Sequence, residues 1–134
     1  MKNDSYYLGL ARWVAKKATC PKKQVGCVIV DSDQKLLSTG FNTVPSGCAS
    51  CLSTPCSKRL KKCHAIHAEA LALLKCKDIK RIDTIYVTLS PCFDCAKLIS
   101  MTGCKRVVYL ENYKKNDGLE LLRKNKIEVI RYDK

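Results

Sequence analysis

The side chains most able to do chemistry lie in two short stretches, His67-Ala68-Glu69 and Pro91-Cys92-Phe93-Asp94-Cys95. An imidazole and two thiolates fill three corners of a tetrahedral zinc and leave the fourth open for water. Glu69 is not needed as a ligand. A carboxylate two residues from the histidine can instead carry protons between that water and a substrate. Structural zinc sites usually close on four protein groups and have no use for a neighbouring base. Taken singly, a histidine is usually structural, and a lone C-x-x-C is often a redox pair or half a zinc knuckle. Together with Glu69 and Pro91 they predict a catalytic metal centre with His67, Cys92 and Cys95 as ligands and Glu69 as the proton carrier.

Such a centre needs rigid elements to hold it, and the hydrophobic patterning supplies them. Residues 3–17 read as an amphipathic helix, with Tyr6, Leu10, Trp13 and either Val14 or Ala18 on its apolar side and Arg12, Lys16 and Lys17 towards water. Pro21 stops it. The β-branched run 25–30 is a buried strand, Asp31-Ser32-Asp33-Gln34 turns the chain, and 35–41 returns as the second arm of a hairpin. Residues 64–75 read as a helix with Ile66, Ala70, Leu73 and Leu74 along one face. Strand 84–88, helix 92–101, strand 106–110, a short helix 119–124 and strand 127–131 follow. A helix, a hairpin and then alternating strands and helices predict a three-layer α/β/α architecture. Each half of the metal motif then falls in the first turn of a helix, whose N-terminus favours thiolates and hydroxide.

The chain has 134 residues, which suits a single domain over 1–134 with a continuous core. It shows no secretory signal at Met1–Tyr7 and no apolar run of the roughly 18–20 residues that span a bilayer, so a cytoplasmic protein without membrane contact is expected. Ten cysteines could suggest a disulfide scaffold, but they cluster at metal-like spacings without an export signal. Cys27, Cys76 and Cys104 sit among apolar residues and read as small buried hydrophobes. The formal charge is +13; thiolates and zinc ions at two metal sites would leave roughly +11. That excess favours polyanions such as phosphorylated nucleotides or nucleic acid, although most single lysines simply solvate the surface.

The pattern H-x-E…P-C-x-x-C is the signature of zinc nucleobase deaminases. The chain resembles the cytidine deaminase superfamily, most closely its deoxycytidylate (dCMP) deaminase branch. The similarity runs through Ala18-Thr19-Cys20-Pro21-Lys22-Lys23-Gln24-Val25-Gly26-Cys27-Val28-Ile29-Val30 and Ser38-Thr39-Gly40-Phe41-Asn42-Thr43-Val44-Pro45-Ser46-Gly47. It resumes at Tyr86-Val87-Thr88-Leu89-Ser90-Pro91-Cys92-Phe93-Asp94-Cys95-Ala96-Lys97 and continues through Gly103–Tyr109 and Tyr113 to the last strand. The resemblance implies a five-stranded mixed sheet flanked by helices, a homo-oligomer (commonly a hexamer), and conversion of dCMP to dUMP and ammonia for thymidylate synthesis. It implies that zinc-activated hydroxide attacks C4 while Glu69 passes protons to the ring nitrogen and the leaving amine. It also implies that Asn42 contacts the nucleotide and that the backbone around Ala68 reads the pyrimidine edge. Many members are regulated by dCTP and dTTP with magnesium, and acceptance of dCTP as a substrate stays open.

Among the basic residues, Lys22 and Lys23 are the candidates for a phosphate contact, because their turn precedes the first strand near Asn42; a solvated turn explains them equally well. Tyr113 is a candidate for the pocket wall, the subunit boundary or simple packing. Cys51, Cys56 and Cys63, with Cys20, match a branch of the family carrying a second, structural zinc. Four thiolates would close that site and fasten the long segment 42–62. Cys48 competes with Cys51, and His64 is either a ligand or exposed.

Two positions depart from the family pattern: Leu71 replaces an asparagine two places after Glu69, and Thr43 replaces a glycine. Leu71 is closer to what tRNA adenosine deaminases show, so a nucleic-acid deaminase is the first alternative. A non-catalytic zinc module that binds nucleic acid is the second, and Glu69 argues against it.

Overall fold

The computed structural model describes residues 3–19, 23–45 and 65–133. Helix α1 (Asp4–Ala15) leads into strands β1 (Gly26–Val30) and β2 (Leu36–Phe41). Helix α2 (Ala68–Lys75), strand β3 (Thr84–Leu89), helix α3 (Phe93–Ser100), strand β4 (Arg106–Glu111), helix α4 (Asp117–Lys124) and strand β5 (Glu128–Arg131) then alternate. The strands form one mixed sheet in the order β2-β1-β3-β4-β5. β1 runs antiparallel to both β2 and β3, whereas β3, β4 and β5 are parallel. The two parallel steps are bridged by α3 and α4, the crossovers that parallel pairing requires.

The β-branched runs lie in the middle strands because both faces of those strands are covered. Every residue of β1 is buried. On one face Cys27, Ile29, Ile85, Val87 and Val107 pack under α2, α3 and α4; on the other Val28, Val30, Tyr86 and Val108 pack under α1. The expected α/β class, the five-stranded sheet and the three layers are all present. Cys27, Cys76 and Cys104 are buried free thiols, in keeping with their apolar settings. No helix among the described residues is long and apolar enough to cross a membrane.

Two helical faces differ from the periodicity reading. In α1 the buried residues are Leu8, Ala11, Val14 and Ala15, while Tyr6 is 61% and Trp13 58% exposed. In α2 they are Ala68, Glu69 and Ala72, while Leu74 is 78% exposed. The cause is close backbone approach. A Cβ on Gly40 of β2 would lie 2.3 Å from the Ala68 carbonyl oxygen and 2.6 Å from the Ala72 nitrogen, so α2 is seated directly on the strand. Only small residues fit such a contact, and the large side chains turn outward. Ser38 fastens the same contact by donating its hydroxyl to the Ala72 carbonyl at 2.7 Å.

α2 also starts later than periodicity indicates. Ile66 pairs with Thr43 in an antiparallel bridge, so the chain is extended until His67. That bridge sets the angle at which the catalytic helix begins, and it brings His67 alongside Asn42.

Candidate active site

His67 is the N-cap of α2 with extended backbone (φ −75°, ψ 156°), and Cys92 is the N-cap of α3 (φ −73°, ψ 173°). Neither side chain caps its own helix, so both are available to a ligand. Cys95 follows in the first turn of α3. The imidazole Nδ1 lies 3.4 Å from each of the Cys92 and Cys95 sulfurs, and all three donor atoms lie within 4.8 Å of one another. In a tetrahedral zinc site with ordinary Zn–S and Zn–N bonds, an N···S edge is about 3.5 Å. The three donors therefore fit zinc in both type and spacing, with one coordination position left for a small ligand.

Electrostatics agrees with a cation here. Burial, and then the charges of Glu69 and Cys92, push the Cys95 thiol far above its ordinary range. It becomes a thiolate only when a metal compensates it. The two helix N-termini converge on the same point and add favourable potential for anions.

Glu69 is only 4% exposed. Burial raises its carboxyl from an ordinary 4.5 to about 7, and a hydrogen bond from its own backbone amide pulls the other way. A carboxyl with affinity for protons near neutrality suits a group that must both take and give them.

Glu69, His67 and Cys92 line a cavity of about 300 Å³, together with Lys23, Val25, Asn42, Ala65, Ala68, Leu89, Ser90 and Tyr113. Asn42 is buried at its edge: its side-chain oxygen accepts from the Val25 amide at 2.8 Å and its nitrogen donates to the Lys23 carbonyl at 2.7 Å. It thus shapes the wall itself, and one N–H and one lone pair remain for a ligand. The Lys23 ammonium stands 5.1 Å from the centre of the Tyr113 ring. Leu71, the departure from the family pattern, is not among the described residues that line the cavity.

Of the predicted site residues, His67, Glu69, Cys92, Asn42, Ala68, Lys23 and Tyr113 line this one cavity, and Cys95 joins them through the donor trio it forms with His67 and Cys92. Lys22 and the proposed structural-zinc set Cys20, Cys51, Cys56 and Cys63, with their competitors Cys48 and His64, lie outside the described residues.

Two positioning residues carry weaker sequence signals. The Ser90 hydroxyl accepts the Tyr113 amide at 2.7 Å, tying the β4–α4 segment to the turn that bears Cys92. Gly118 is the second: a Cβ there would lie 2.3 Å from the Pro91 carbonyl oxygen and 2.8 Å from that of Cys92, so α4 braces the ligand turn from behind. Ser90 stands next to the Pro-Cys pair and was visible as part of that motif. Gly118, near a helix start, looks like any other glycine until the packing is seen.

Comparison with known proteins agrees with this geometry. Residues 1–111 match the model of the cytidine and deoxycytidylate deaminase zinc-binding region. A deoxycytidylate deaminase of Mycobacterium phage D29 is 39% identical over 121 residues, covering 79% of this chain and 92% of that protein. The Saccharomyces cerevisiae deoxycytidylate deaminase is 34% identical over 131 residues, and this chain spans 42% of its length. Among solved structures, the dCMP deaminase of cyanophage S-TIM5 in complex with dCMP and dUMP superimposes with a TM-score of 0.86 at 28% identity, covering 98% of this chain and 99% of that one.

Proposed function

The chain belongs to the cytidine and deoxycytidylate deaminase family, and from that premise we infer that it is a zinc-dependent dCMP deaminase, releasing dUMP and ammonia. The observation that carries the reading is the buried Glu69 carboxyl in one cavity with His67 and Cys92, two of the three donors that converge with Cys95. A structural zinc knuckle would not bury an unpaired acid beside its ligands. The solved relative with dCMP and dUMP supports a pyrimidine nucleotide as the ligand.

His67, Cys92 and Cys95 would hold the zinc, which when bound supplies a water acidic enough to act as a nucleophile at neutral pH. Glu69 takes the proton from that water and delivers it to the pyrimidine ring nitrogen, which makes C4 electrophilic. Once the C4–O bond has formed, Glu69 takes the remaining proton from the C4 hydroxyl and passes it to the amine, and the C4–N bond breaks as the C4 carbonyl forms and ammonia departs. The α2 backbone at Ala68 faces the pyrimidine edge, Asn42 contacts the nucleotide, and Tyr113 walls the cavity. Lys22 and Lys23 meet the phosphate.

The same resemblance supports further assignments. A second zinc on Cys20, Cys51, Cys56 and Cys63 would brace the segment before α2. The protein would be a single-domain cytoplasmic homo-oligomer, commonly a hexamer in this family, open to dCTP or dTTP with magnesium as effectors. The nucleic-acid-deaminase alternative rested on Leu71 and on the strong positive charge; Leu71 is not among the described residues that line the cavity, which weakens the first of these supports.

Zinc-loaded protein is expected to release ammonia from dCMP, with loss of the cytosine absorbance. Glu69→Gln should retain zinc and lose about 10²–10⁴ in rate. Activity confined to a tRNA anticodon stem would overturn the substrate, and full activity in Glu69→Gln would overturn the mechanism. A metal count of one zinc per chain in active protein would remove the structural site.

A further inference from the structure

We propose that a second cleft, between the end of α1 and the ends of strands β3 and β4, receives the phosphate end of the nucleotide, with Arg12 and Lys16 as its specificity-determining residues. The inference rests on the dCMP reading above and deepens it. The cavity at Glu69 contains one cationic side chain among the described residues, Lys23. A nucleoside monophosphate brings close to two negative charges. Beside that cavity lies a cleft of about 560 Å³, whose walls include Arg12, Lys16 and again Lys23. Lys23, Val25 and Leu89 line both spaces and form the ridge between them. A nucleotide with its base over Glu69 would cross that ridge and leave its phosphate among three cations.

The placement of the cations supports this. Arg12 and Lys16 are four residues apart at the end of α1, on one side of the helix, where like charges repel. A helix C-terminus favours a cation and accounts for one of them. It does not account for both facing the same concavity. Among the described residues neither has an acidic partner within ion-pair distance, whereas their neighbour Lys17 rests over the Trp13 ring at 5.2 Å. A bound phosphate would relieve the repulsion. Among the described residues, the one carboxylate in the cleft wall is Glu111, at the end of β4. It opposes an anion, so its removal should act with the opposite sign.

The test measures equilibrium binding of dCMP and of deoxycytidine to zinc-loaded Glu69→Gln protein, in which turnover is suppressed. Adding Arg12→Gln and Lys16→Gln should weaken dCMP about tenfold, the scale of one charge-assisted contact near solvent, and leave deoxycytidine within about twofold. Adding Glu111→Gln instead should tighten dCMP by about two- to threefold. In turnover-competent protein the Arg12 and Lys16 changes should raise KM for dCMP by a similar factor at constant kcat. Unchanged dCMP affinity in the double variant overturns the subsite, and so does an equal loss for deoxycytidine. Normal dCMP turnover without charge dependence sinks the subsite and keeps the deaminase reading. Charge-dependent dCMP binding in a protein that cannot deaminate dCMP does the reverse.

Discussion

Two polar constellations lie on opposite faces of one sheet, and they handle buried charge in opposite ways. Under α1, the Asp4 carboxylate accepts from both terminal nitrogens of Arg106, at 3.2 and 2.9 Å, and from the Tyr86 hydroxyl at 2.8 Å. Arg106 also reaches Thr84, so the charge is paired and the donors are used. Under α2, Glu69 is more deeply buried, yet among the described residues no cationic side chain pulls its carboxyl down. Burial alone lifts it to about 7. The first arrangement is what a protein does when it needs a buried charge to stay put. The second costs stability and holds a proton near its point of exchange, which is the property a deaminase requires.

The sharpest way to break this contrast is to remove the ionisable group at Glu69 and follow stability in reduced, zinc-free protein. The folded carboxyl titrates near 7 and the unfolded one near 4.5. Between those values the native state holds a proton that the unfolded chain has released, so wild-type stability falls as pH rises through the window. Below it the shift costs nothing; above it the penalty is constant. Glu69→Gln has no such penalty. Its advantage over wild type should be near zero at pH 4 and reach roughly 3 kcal/mol at pH 8. A difference that does not change with pH would mean that Glu69 is not held in a desolvated site.

The two constellations also differ in how legible they were. The metal motif is local: His67 and Glu69 are two apart, Cys92 and Cys95 three apart, and each spacing makes chemical sense without a fold. The middle strands were equally plain, because burial on both faces demands uninterrupted apolar, β-branched runs such as 26–30. The helix faces were harder to read. Trp13 and Leu74 dominate any hydrophobic pattern, but Ala11, Ala68 and Ala72 carry the packing. The Asp4–Arg106 pair spans 102 residues. Nothing local distinguishes Arg106 from the other cations as the partner of that acid, so only the assembled sheet reveals it.

If the α1 network is structural, breaking it should cost stability and leave chemistry alone. Asp4→Asn removes the charge opposite a guanidinium that is 11% exposed. The loss should be about 2–3 kcal/mol, somewhat less than for a fully buried pair, because the Asp4 side chain is 21% exposed. The deamination rate per folded molecule should stay within about twofold, since the network touches no wall of the catalytic cavity. A large fall in rate at unchanged denaturation midpoint would make this face part of the catalytic apparatus.

The finest cut is Arg106→Lys, which keeps the charge and removes the fork. Lysine can place one ammonium near Asp4, but it cannot engage both carboxylate oxygens while also reaching Thr84. Retained Coulomb attraction with reduced hydrogen bonding predicts a loss of about 1 kcal/mol, less than half that of Asp4→Asn. Denaturant midpoints of the single variants and of the Asp4→Asn, Arg106→Lys double variant would separate the two contributions. If the fork is what stabilises the pair, the lysine change should cost almost nothing further once Asp4 is gone. Full additivity would mean that Arg106 acts through contacts other than Asp4, such as Thr84 and the Glu128 carboxylate at 3.7 Å, and that the fork on Asp4 is incidental.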